Sequence, residues 1–419
     1  MNQQNKINQK TNYSSELRKK AENDFKNIDW PKRNEEAWRR LAYEEMDIEA
    51  YKNEKNLAPL LYFKPSEKPR DFSGYIEFRG NKCVTRILGD EIIKGNVFVE
   101  VFENKQALVS DLAVENQSLL YQRIKNKFQY ENIYKWDHGI QIKVPKGKVV
   151  TKPLYIVLDE KGIKARRFFH VLVQSETSSQ FKITMILKSA ENQNLLLNSH
   201  FHYVVGDNAR LEIVQHQLLN KKSRYFGSTT ADVGRDAFLS HFNGVFGATR
   251  SKEFIDFNLM AQGAELHSDG LYYVESGQFT DIQSEINHVA ANTSSRTFYK
   301  GVLENQARSV YQGLIHVGKT AENTDAYLTN KNLLLGHEAR ADSIPSLDIK
   351  NNNVKCSHGS TTGKINQDQL FYLESRGFSE SEAQELLVLA YLNEITKKID
   401  DQEAAWILNK IQKRRKVRS

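Results

Sequence analysis

Cysteine is nearly absent from this chain of 419 residues, which contains only Cys83 and Cys356. Two cysteines so far apart in sequence exclude a disulfide framework, and a single long-range bridge is not expected in a reducing compartment. Long apolar runs are also missing, since no stretch approaches the roughly 20 apolar residues that span a bilayer. Residues 1–15 lack the apolar core of a secretory signal. We therefore expect a cytoplasmic protein that does not insert into a membrane.

Several catalytic motifs are absent too. The run from Gly359 to Lys364 is one residue too short between its glycines for a phosphate-binding loop, and no Ser or Thr follows its lysine. The chain has no Gly-x-Ser-x-Gly elbow, His-Glu-x-x-His pair or Cys-x-x-Cys pair. We therefore do not expect this chain to hydrolyse nucleotides.

Positive charge is concentrated at the C-terminus. Most of the net charge of +7 comes from six residues, Lys410, Lys413, Arg414, Arg415, Lys416 and Arg418. A nearly neutral body with a basic tail differs from the basic groove of a nucleic-acid-binding protein. We expect a solvated tail that maintains solubility and no nucleic-acid partner.

The residue pattern changes twice along the chain. Residues 14–55 predict helices, with a break at Trp30-Pro31 and a second helix from Glu35 to Met46. Short strands are predicted from about residue 70, for example at residues 75–78, 97–102 and 139–144. We therefore divide the chain into an N-terminal helical region (1–70), a β-rich core (71–365) with a helical interruption near 116–128, and a C-terminal helical region with a basic tail (366–419).

A turn followed by a short strand recurs through the core. The turns contain Ala209, Ala237, Ala264, Ala307 and Ala339, and the first three alanines are 28 and 27 residues apart. Such a period without intervening helices indicates stacked coils, because each coil can bury its inner face only against its neighbours. The predicted fold is a parallel β-helix, and the alternative is a β-sandwich, which would need more frequent hairpin turns. The turn at 352–355 would then place Cys356 on the last coil.

Three helices are predicted after this coil. The first ends at Gly377, the second begins with a capping box formed by Ser379 and Glu382, and the third lies near residues 403–411. Their apolar residues exceed what the neighbouring sequence can bury. They either cap the end of the β-helix or bind a partner protein.

Cys356 and His358 form the most informative pair in the sequence. A thiolate and an imidazole are ligands for zinc, copper or iron-sulfur units, and a spacing of two in a strand directs both to one face. Two ligands do not complete a four-ligand site. A metal site here would therefore be shared, transient or incomplete.

Other candidate residues have weaker support. His200 and His202 share a strand face, and we expect them to be hydrogen-bonded structural residues rather than metal ligands. A β-helix carbohydrate-active enzyme, resembling a polysaccharide lyase, is the alternative function, and it would need two carboxylates at a fixed separation. Its candidates are scattered among the turns: Asp269, Asp281, Glu285 and Asp325.

Three C-terminal runs, residues 356–363, 368–373 and 375–383, form a specific signature, with further characteristic residues at 324–326, 332–335 and 339–349. This signature closely resembles that of the SufB/SufD family of the SUF iron-sulfur cluster assembly system. Residues 31–39, Pro-Lys-Arg-Asn-Glu-Glu-Ala-Trp-Arg, are similar to the family's N-terminal element. Arg40, Leu41 and Leu328 depart from the family pattern. The run Cys356-Ser357-His358-Gly359 resembles the SufD branch, because the SufB branch has a Glu-His-Glu-Ala-Thr-Thr-Ser run there.

The resemblance implies a non-catalytic scaffold with a right-handed parallel β-helix and flanking helices. It implies pairing with SufB, or a homodimer in isolation, and binding of the ATPase SufC, which alone would use ATP. His358 would face SufB at a transient iron-sulfur cluster site, and Cys356 would be either a ligand or a buried structural thiol. No cofactor would be stably bound. The residues expected to bind the ATPase are Gln369, Phe371, Tyr372, Arg376, Gly377, Leu386, Leu387 and Tyr391.

Overall fold

The computed structural model describes residues 16–51, 71–103, 121–160 and 163–416. Its helices are α1 at residues 16–27, α2 Asp90–Lys94, α3 Lys127–Lys135, α4 Gln367–Ser375, α5 Glu380–Thr396 and α6 Asp401–Lys416. Three 3₁₀ helices span Glu36–Trp38, Tyr43–Met46 and Ile48–Ala50. The strands are β1 Gly74–Arg79, β2 Lys82–Leu88, β3 Phe98–Phe102, β4 His138–Val144, β5 Leu154–Glu160, β6 Ile163–Ser175, β7 Gln180–Ser189, β8 Asn194–Val205, β9 Arg210–Leu218, β10 Arg224–Val233, β11 Phe238–Val245, β12 Arg250–Leu259, β13 Glu265–Val274, β14 Phe279–His288, β15 Ser294–Leu303, β16 Arg308–Val317, β17 Thr324–Leu334, β18 Arg340–Ile349 and β19 Val354–Lys364.

The described strands form two long sheets. Sheet I has the order β19-β17-β15-β13-β11-β9-β7-β5-β1-β2, and sheet II has the order β18-β16-β14-β12-β10-β8-β6-β4-β3. From β4 onwards the chain alternates between the sheets, and each strand pairs in parallel with the strand two positions along. This is the predicted parallel β-helix, with helical segments on both sides of it in sequence. The β-sandwich alternative was wrong, because parallel pairing between successive coils replaces hairpins.

The main core lies between the inner faces of the two sheets. Side chains alternate along a strand, so every second residue points inward. On β12, for example, Ile255 and Phe257 belong to the main core, whereas Phe254 packs in a separate outer cluster. Stacking of equivalent inner residues on successive coils buries apolar surface that a single coil would leave exposed.

The predicted alanine turns stack along the solenoid. Ala209, Ala237 and Ala264 are almost completely buried. Each follows a residue with positive φ: Asn208 at 55°, Asp236 at 51° and Gly263 at 77°. Asn, Asp and Gly tolerate this left-handed conformation, and the small alanine then fits into the core at the corner.

The N-terminal region differs from the prediction between residues 35 and 46. The expected α-helix is absent, and short 3₁₀ helices follow the outer face of sheet II. Trp38 is 2% exposed and stacks on Phe128 and Phe226, with ring centroids 5.4 and 6.3 Å away. Tertiary packing of Trp38, Leu41 and Met46 on the sheet overrides the helical tendency of this segment.

The helical interruption predicted near residues 116–128 lies partly outside the described residues. Within the described part, α3 begins at Lys127 after a capping box formed by Asn126 and Gln129. The helix lies on the outer face of sheet II, where the Asn132 side-chain amide donates to the carbonyl oxygens of Phe169 and Asn198, at 3.1 and 2.9 Å.

The C-terminal helices lie on the side of the solenoid. Val388, Leu392 and Ile395 of α5 pack with residues of α6 against the outer face of sheet I. The predicted capping box of α5 is present, since Ser379 and Glu382 bond each other's backbone N–H. Docking on the flank leaves the terminal coil uncovered by these helices, so the first of the two alternatives, an end cap, was wrong. Among the described helices, none is long and apolar enough to cross a membrane.

Candidate functional site at the terminal coil

The terminal coil consists of β18 and β19, which are the last strands of their sheets. β19 pairs with β17 along one edge, and in the described part of the chain its other edge has no strand partner. The space beside the Cα atoms of Gly359 and Gly363 on β19 is open, with no atom of the described residues within 4 Å of where a side chain would begin. The solenoid therefore ends in an open coil with two accessible strand edges.

Cys356 and His358 lie on the inner face of β19. Cys356 is opposite Ala326 in register and packs against the main core, while His358 is opposite Leu328. Because they are two residues apart, both side chains point to the inner side of the coil. Cys356 is partly buried and His358 is exposed. The structure therefore brings the two predicted residues together at the open end of the lumen.

The environment of Cys356 disfavours its thiolate. Burial is the main effect that raises the pKa of this thiol, and the nearby carboxylate of Asp325 raises it further. Asp325 is itself held by Arg296, with Nη2 and Oδ2 2.9 Å apart. Cys356 is free of any disulfide, as is Cys83. The thiol is thus a protonated group at neutral pH, and the binding of a metal would have to displace its proton.

The metal-ligand set at this end is incomplete. No group of three or more His, Cys, Asp or Glu side chains suitable for a metal occurs among the described residues. Cys356 and His358 therefore supply two donors on an open surface, and further ligands would have to come from outside the described part of the chain.

The residues expected to bind the ATPase lie on α4, α5 and the turn between them. Phe371 and Tyr372 are 71% and 56% exposed, and Leu386 on α5 is 41% exposed. Gly377 ends the first helix at φ 96°, a conformation that glycine adopts without strain. The side chains of Phe371, Tyr372 and Leu386 form an exposed apolar surface, which we call the α4 surface.

The remaining residues of this set differ in exposure. Gln369 on α4 and Arg376 directly after it are exposed, and Leu387 on α5 is half-buried. Tyr391 is half-buried against the solenoid, where the Lys300 ammonium lies 4.1 Å from its ring centroid and 2.6 Å from its carbonyl oxygen. Tyr391 thus helps to hold α5 on sheet I and contributes little to the α4 surface.

A buried carboxylate fixes the start of α6. Glu403 accepts a hydrogen bond from the Tyr155 hydroxyl at 2.8 Å and lies 3.3 Å from His216 Nε2. The indole of Trp406 lies beside the same imidazole, with ring centroids 5.2 Å apart. We call this group of Tyr155, His216 and Glu403 the Glu403 clamp. Sequence inspection did not identify it, because its members lie on β5, β9 and α6, which are far apart in sequence.

Part of the basic tail is docked rather than solvated, contrary to the prediction. Arg414 contacts the carbonyl oxygen of Phe246 and lies 3.4 Å from Glu275, and Arg415 lies 3.0 Å from Glu304. These contacts lie on the outer side of sheet I. Because of these contacts, Arg414 and Arg415 are held against the solenoid and do not form a solvated basic tail.

The candidate carboxylates of a carbohydrate-active enzyme do not form a pair. Asp269 lies on the outer face of sheet I, whereas Asp281 lies on the outer face of sheet II and forms a buried ion pair with Lys252 at 2.7 Å. Glu285 and Asp325 are paired with Lys125 and Arg296. Acids on different sheets cannot flank one glycosidic bond. Asp281 and Glu285 share β14 but are four residues, or about 13 Å, apart, which exceeds the separation of a catalytic pair.

His200 and His202 lie on β8 and point to the outer face of sheet II, the face on which α3 lies. Both are buried, and burial lowers the pKa of each to about 3. His202 Nδ1 lies 2.7 Å from Thr230 Oγ1, as expected for a structural histidine. His200 has no hydrogen-bond partner among the described residues, contrary to the prediction.

The fold and the site define a class of protein, namely a parallel β-solenoid with an open terminal coil that carries two soft metal donors. A family model described as "SUF system FeS cluster assembly, SufBD core domain" matches residues 157–391. The chain belongs to this family, as its terminal sequence indicated. The matched region covers the solenoid from β5 to the terminal coil and extends through α4 into α5.

Curated relatives belong to the same family. SufD of Escherichia coli K12, an iron-sulfur cluster assembly protein, is 27% identical over 266 residues, which cover 62% of this chain and 63% of that protein. SufB of Bacillus subtilis 168 is 27% identical over 295 residues, covering 65% and 59%. A SufBD family protein of Mycobacterium tuberculosis H37Rv is 28% identical over 266 residues, covering 62% and 66%. The chain thus spans about three fifths of the length of the first relatives it matches.

Proposed function

We propose that this protein is the SufD-type scaffold subunit of a cytoplasmic SUF complex for iron-sulfur cluster assembly. It is non-catalytic, and ATP is hydrolysed by a SufC-type partner. The observation that carries the proposal is the placement of Cys356 and His358 on the inner face of a terminal strand whose second edge has no strand partner among the described residues. The Cys-Ser-His-Gly run supports the SufD branch over the SufB branch.

The open coil supports pairing with a SufB-type solenoid. β18 and β19 present two parallel strand edges, and such edges pair readily with strands of another chain. End-to-end docking would continue both sheets and bring the partner's residues close to His358. In isolation, a second copy of this chain takes the same place and forms a homodimer.

The site chemistry supports transient binding of the cluster, which is the cargo of the complex. His358 is exposed on the coil and provides an imidazole donor without rearrangement. Cys356 must first lose the proton that burial favours, so it contributes as a secondary ligand or as a packing residue. Donors from the partner complete the site, and separation of the ligands between two chains allows release.

The α4 surface supports binding of the ATPase. Phe371 and Tyr372 on α4 and Leu386 on α5 are exposed aromatic and aliphatic side chains, of the kind that anchor protein interfaces. The rest of α5 and α6 is fixed to sheet I. Movement of a bound ATPase would therefore be transmitted to the solenoid.

The test replaces the imidazole at the site. In cells that depend on the SUF system, His358→Ala should reduce the activity of iron-sulfur enzymes at least about tenfold, because one donor of the shared site is lost. The variant should still co-purify with the SufB-type and SufC-type subunits. Cluster formation is measured by anaerobic absorption spectroscopy of the purified complex.

His337→Ala is the matched control, because His337 is exposed in the turn before β18 and away from the inner face. It should retain normal assembly. Normal assembly by His358→Ala would contradict the assignment of this site, and loss of the complex would show a structural role instead.

A further inference from the structure

The lumen of the solenoid contains a buried polar cluster far from the terminal coil. Gln215 on β9, His241 and Asn243 on β11, and Glu253 on β12 are each at most 3% exposed. Each is two residues from an inward-facing apolar residue of the main core, so all four point into the lumen. These four polar side chains therefore lie among the apolar residues of the main core.

Three of these residues are close neighbours, and one contact among them crosses the lumen. Asn243 Nδ2 donates to Glu253 Oε2 at 2.8 Å, which joins the inner faces of sheets I and II. Gln215 is the register neighbour of Asn243 in parallel pairing. The Ser251 hydroxyl donates to Glu253 Oε1 at 3.3 Å.

Several polar atoms of the cluster lack partners. Gln215 Oε1, Asn243 Oδ1 and both ring nitrogens of His241 have no hydrogen-bond partner among the described residues. Leaving such groups unsatisfied in the interior is costly, and buried polar groups in folded proteins are nearly always paired with protein or ordered water.

We propose that this part of the lumen is an internal hydration site, in which ordered water molecules bridge Gln215, His241, Asn243 and the carboxyl group of Glu253. The site does not depend on the role of the chain in cluster assembly. It gives the solenoid a buried acid in contact with bound water, which can hold one proton inside the core.

Water is the ligand that matches the chemistry of the cluster. Burial lowers the pKa of His241 to about 3, so its neutral ring offers one donor and one acceptor. The two amide oxygens are acceptors. A cation could bind the oxygens but would leave the imidazole N–H unsatisfied, and an apolar solute would satisfy none of them. Only a molecule that both donates and accepts serves every group.

Glu253 keeps its proton to neutral pH in this environment. Burial raises its pKa from 4.5 to about 7, and the side chains that oppose this effect are the neutral groups of Asn243 and Ser251. The phenols of Tyr225 and Tyr299 are the ionisable groups that act on it electrostatically, and burial raises the pKa of both well above the ordinary value. They remain neutral and supply no counter-charge.

Crystallography of the full chain tests the site directly. At a resolution that shows ordered water, we expect density between Gln215 and Asn243 at hydrogen-bond distances from Asn243 Oδ1 and His241. In Asn243→Leu this density should be lost. Side chains that close on each other without intervening density would overturn the proposal, and so would a peak at metal–oxygen distances.

A solution measurement covers the case in which Asn243→Leu does not fold. The folded state binds more protons than the unfolded state between pH 4.5 and about 7, so Glu253 contributes a fall in unfolding free energy as pH rises through this range. Glu253→Gln, which is nearly isosteric, should lose that part of the slope. Glu265→Gln removes an exposed carboxylate from β13 and should keep it. An unchanged slope in Glu253→Gln would show that the acid is ionised and refute the protonated, hydrated site.

Discussion

At the residue scale, Cys356 and His358 show how environment changes the ranking of two candidate ligands. Softness alone favours the thiol as a ligand for iron. The register places both on the inner face of β19, yet Cys356 packs on the core and His358 stays exposed. Burial raises the pKa of the thiol. The sequence predicted the shared face from the spacing of two, but the difference in burial depends on which coil lies beneath.

Trp38 is the residue on which the N-terminal segment depends. Its indole is buried beside the stacked rings of Phe128 and Phe226, and the Lys252 ammonium lies 5.0 Å from its ring centroid. Trp38→Ala should lower the free energy of unfolding by about 3–5 kcal/mol, as large-to-small core substitutions do. Urea denaturation followed by circular dichroism measures this loss.

Phe378→Ala is the control for this substitution, because Phe378 is 42% exposed. It should change the unfolding free energy by no more than about 0.5 kcal/mol. An equally small effect of Trp38→Ala would mean that the segment contributes little to the stability of the solenoid.

At the element scale, local sequence signals predicted the strands, turns and helix caps, but they did not predict where the helices dock. The alanine turns and the Ser379–Glu382 capping box were readable because they depend on neighbours in sequence. The 3₁₀ segment around Trp38 and the position of α5 and α6 on sheet I depend on contacts with distant strands. Their apolar faces showed that they are buried, and the sequence could not show against which surface.

The α4 surface predicts how an ATPase partner is recognised. Phe371→Asp places a charge at the most exposed aromatic residue of the α4 surface and should weaken ATPase binding at least about tenfold, since a buried interface aromatic contributes about 2 kcal/mol or more. The affinity is measured by titration calorimetry with a purified SufC-type ATPase. Ile93→Asp, at a 60% exposed residue of α2 near the other end of the solenoid, is the control and should bind normally. Equal binding by both variants would place the interface elsewhere.

The Glu403 clamp predicts a local effect on α6. Glu403→Leu removes the acceptor of the Tyr155 hydroxyl and the partner of His216, and each orphaned group costs about 1–3 kcal/mol. Hydrogen exchange should therefore accelerate in α6, while amides of the central strands remain protected. Asp401→Asn, at an exposed position in the same first turn, should leave exchange unchanged. Acceleration throughout the solenoid would show that α6 is part of the global folding unit.

At the scale of the whole molecule, the two ends of the solenoid differ. Both sheets begin with antiparallel strands, β2 in sheet I and β3 in sheet II, and both finish with the parallel strands β19 and β18. The repeat in the sequence predicted stacked coils and the place of the last one. It could not show that the C-terminal helices leave that coil open, because this depends on the flank to which they dock.

The open coil predicts how the chain assembles. Lysine on an edge strand opposes pairing with another strand, because strand pairing would bury or crowd its charge. Ser357→Lys combined with Thr361→Lys should therefore convert a dimer of the isolated chain into a monomer. It should also weaken binding to a SufB-type partner at least about tenfold. Sedimentation velocity measures the first effect and co-purification the second.

The control adds the same charge at exposed turns away from the edge, in Asn192→Lys combined with Thr320→Lys. This variant should assemble as the unmodified chain does, because neither turn belongs to the terminal coil. A dimer that persists in the edge variant would show that copies meet through another surface. Loss of assembly in both variants would indicate a general effect of net charge, whereas loss in the edge variant alone identifies β19 as the strand that joins the two solenoids.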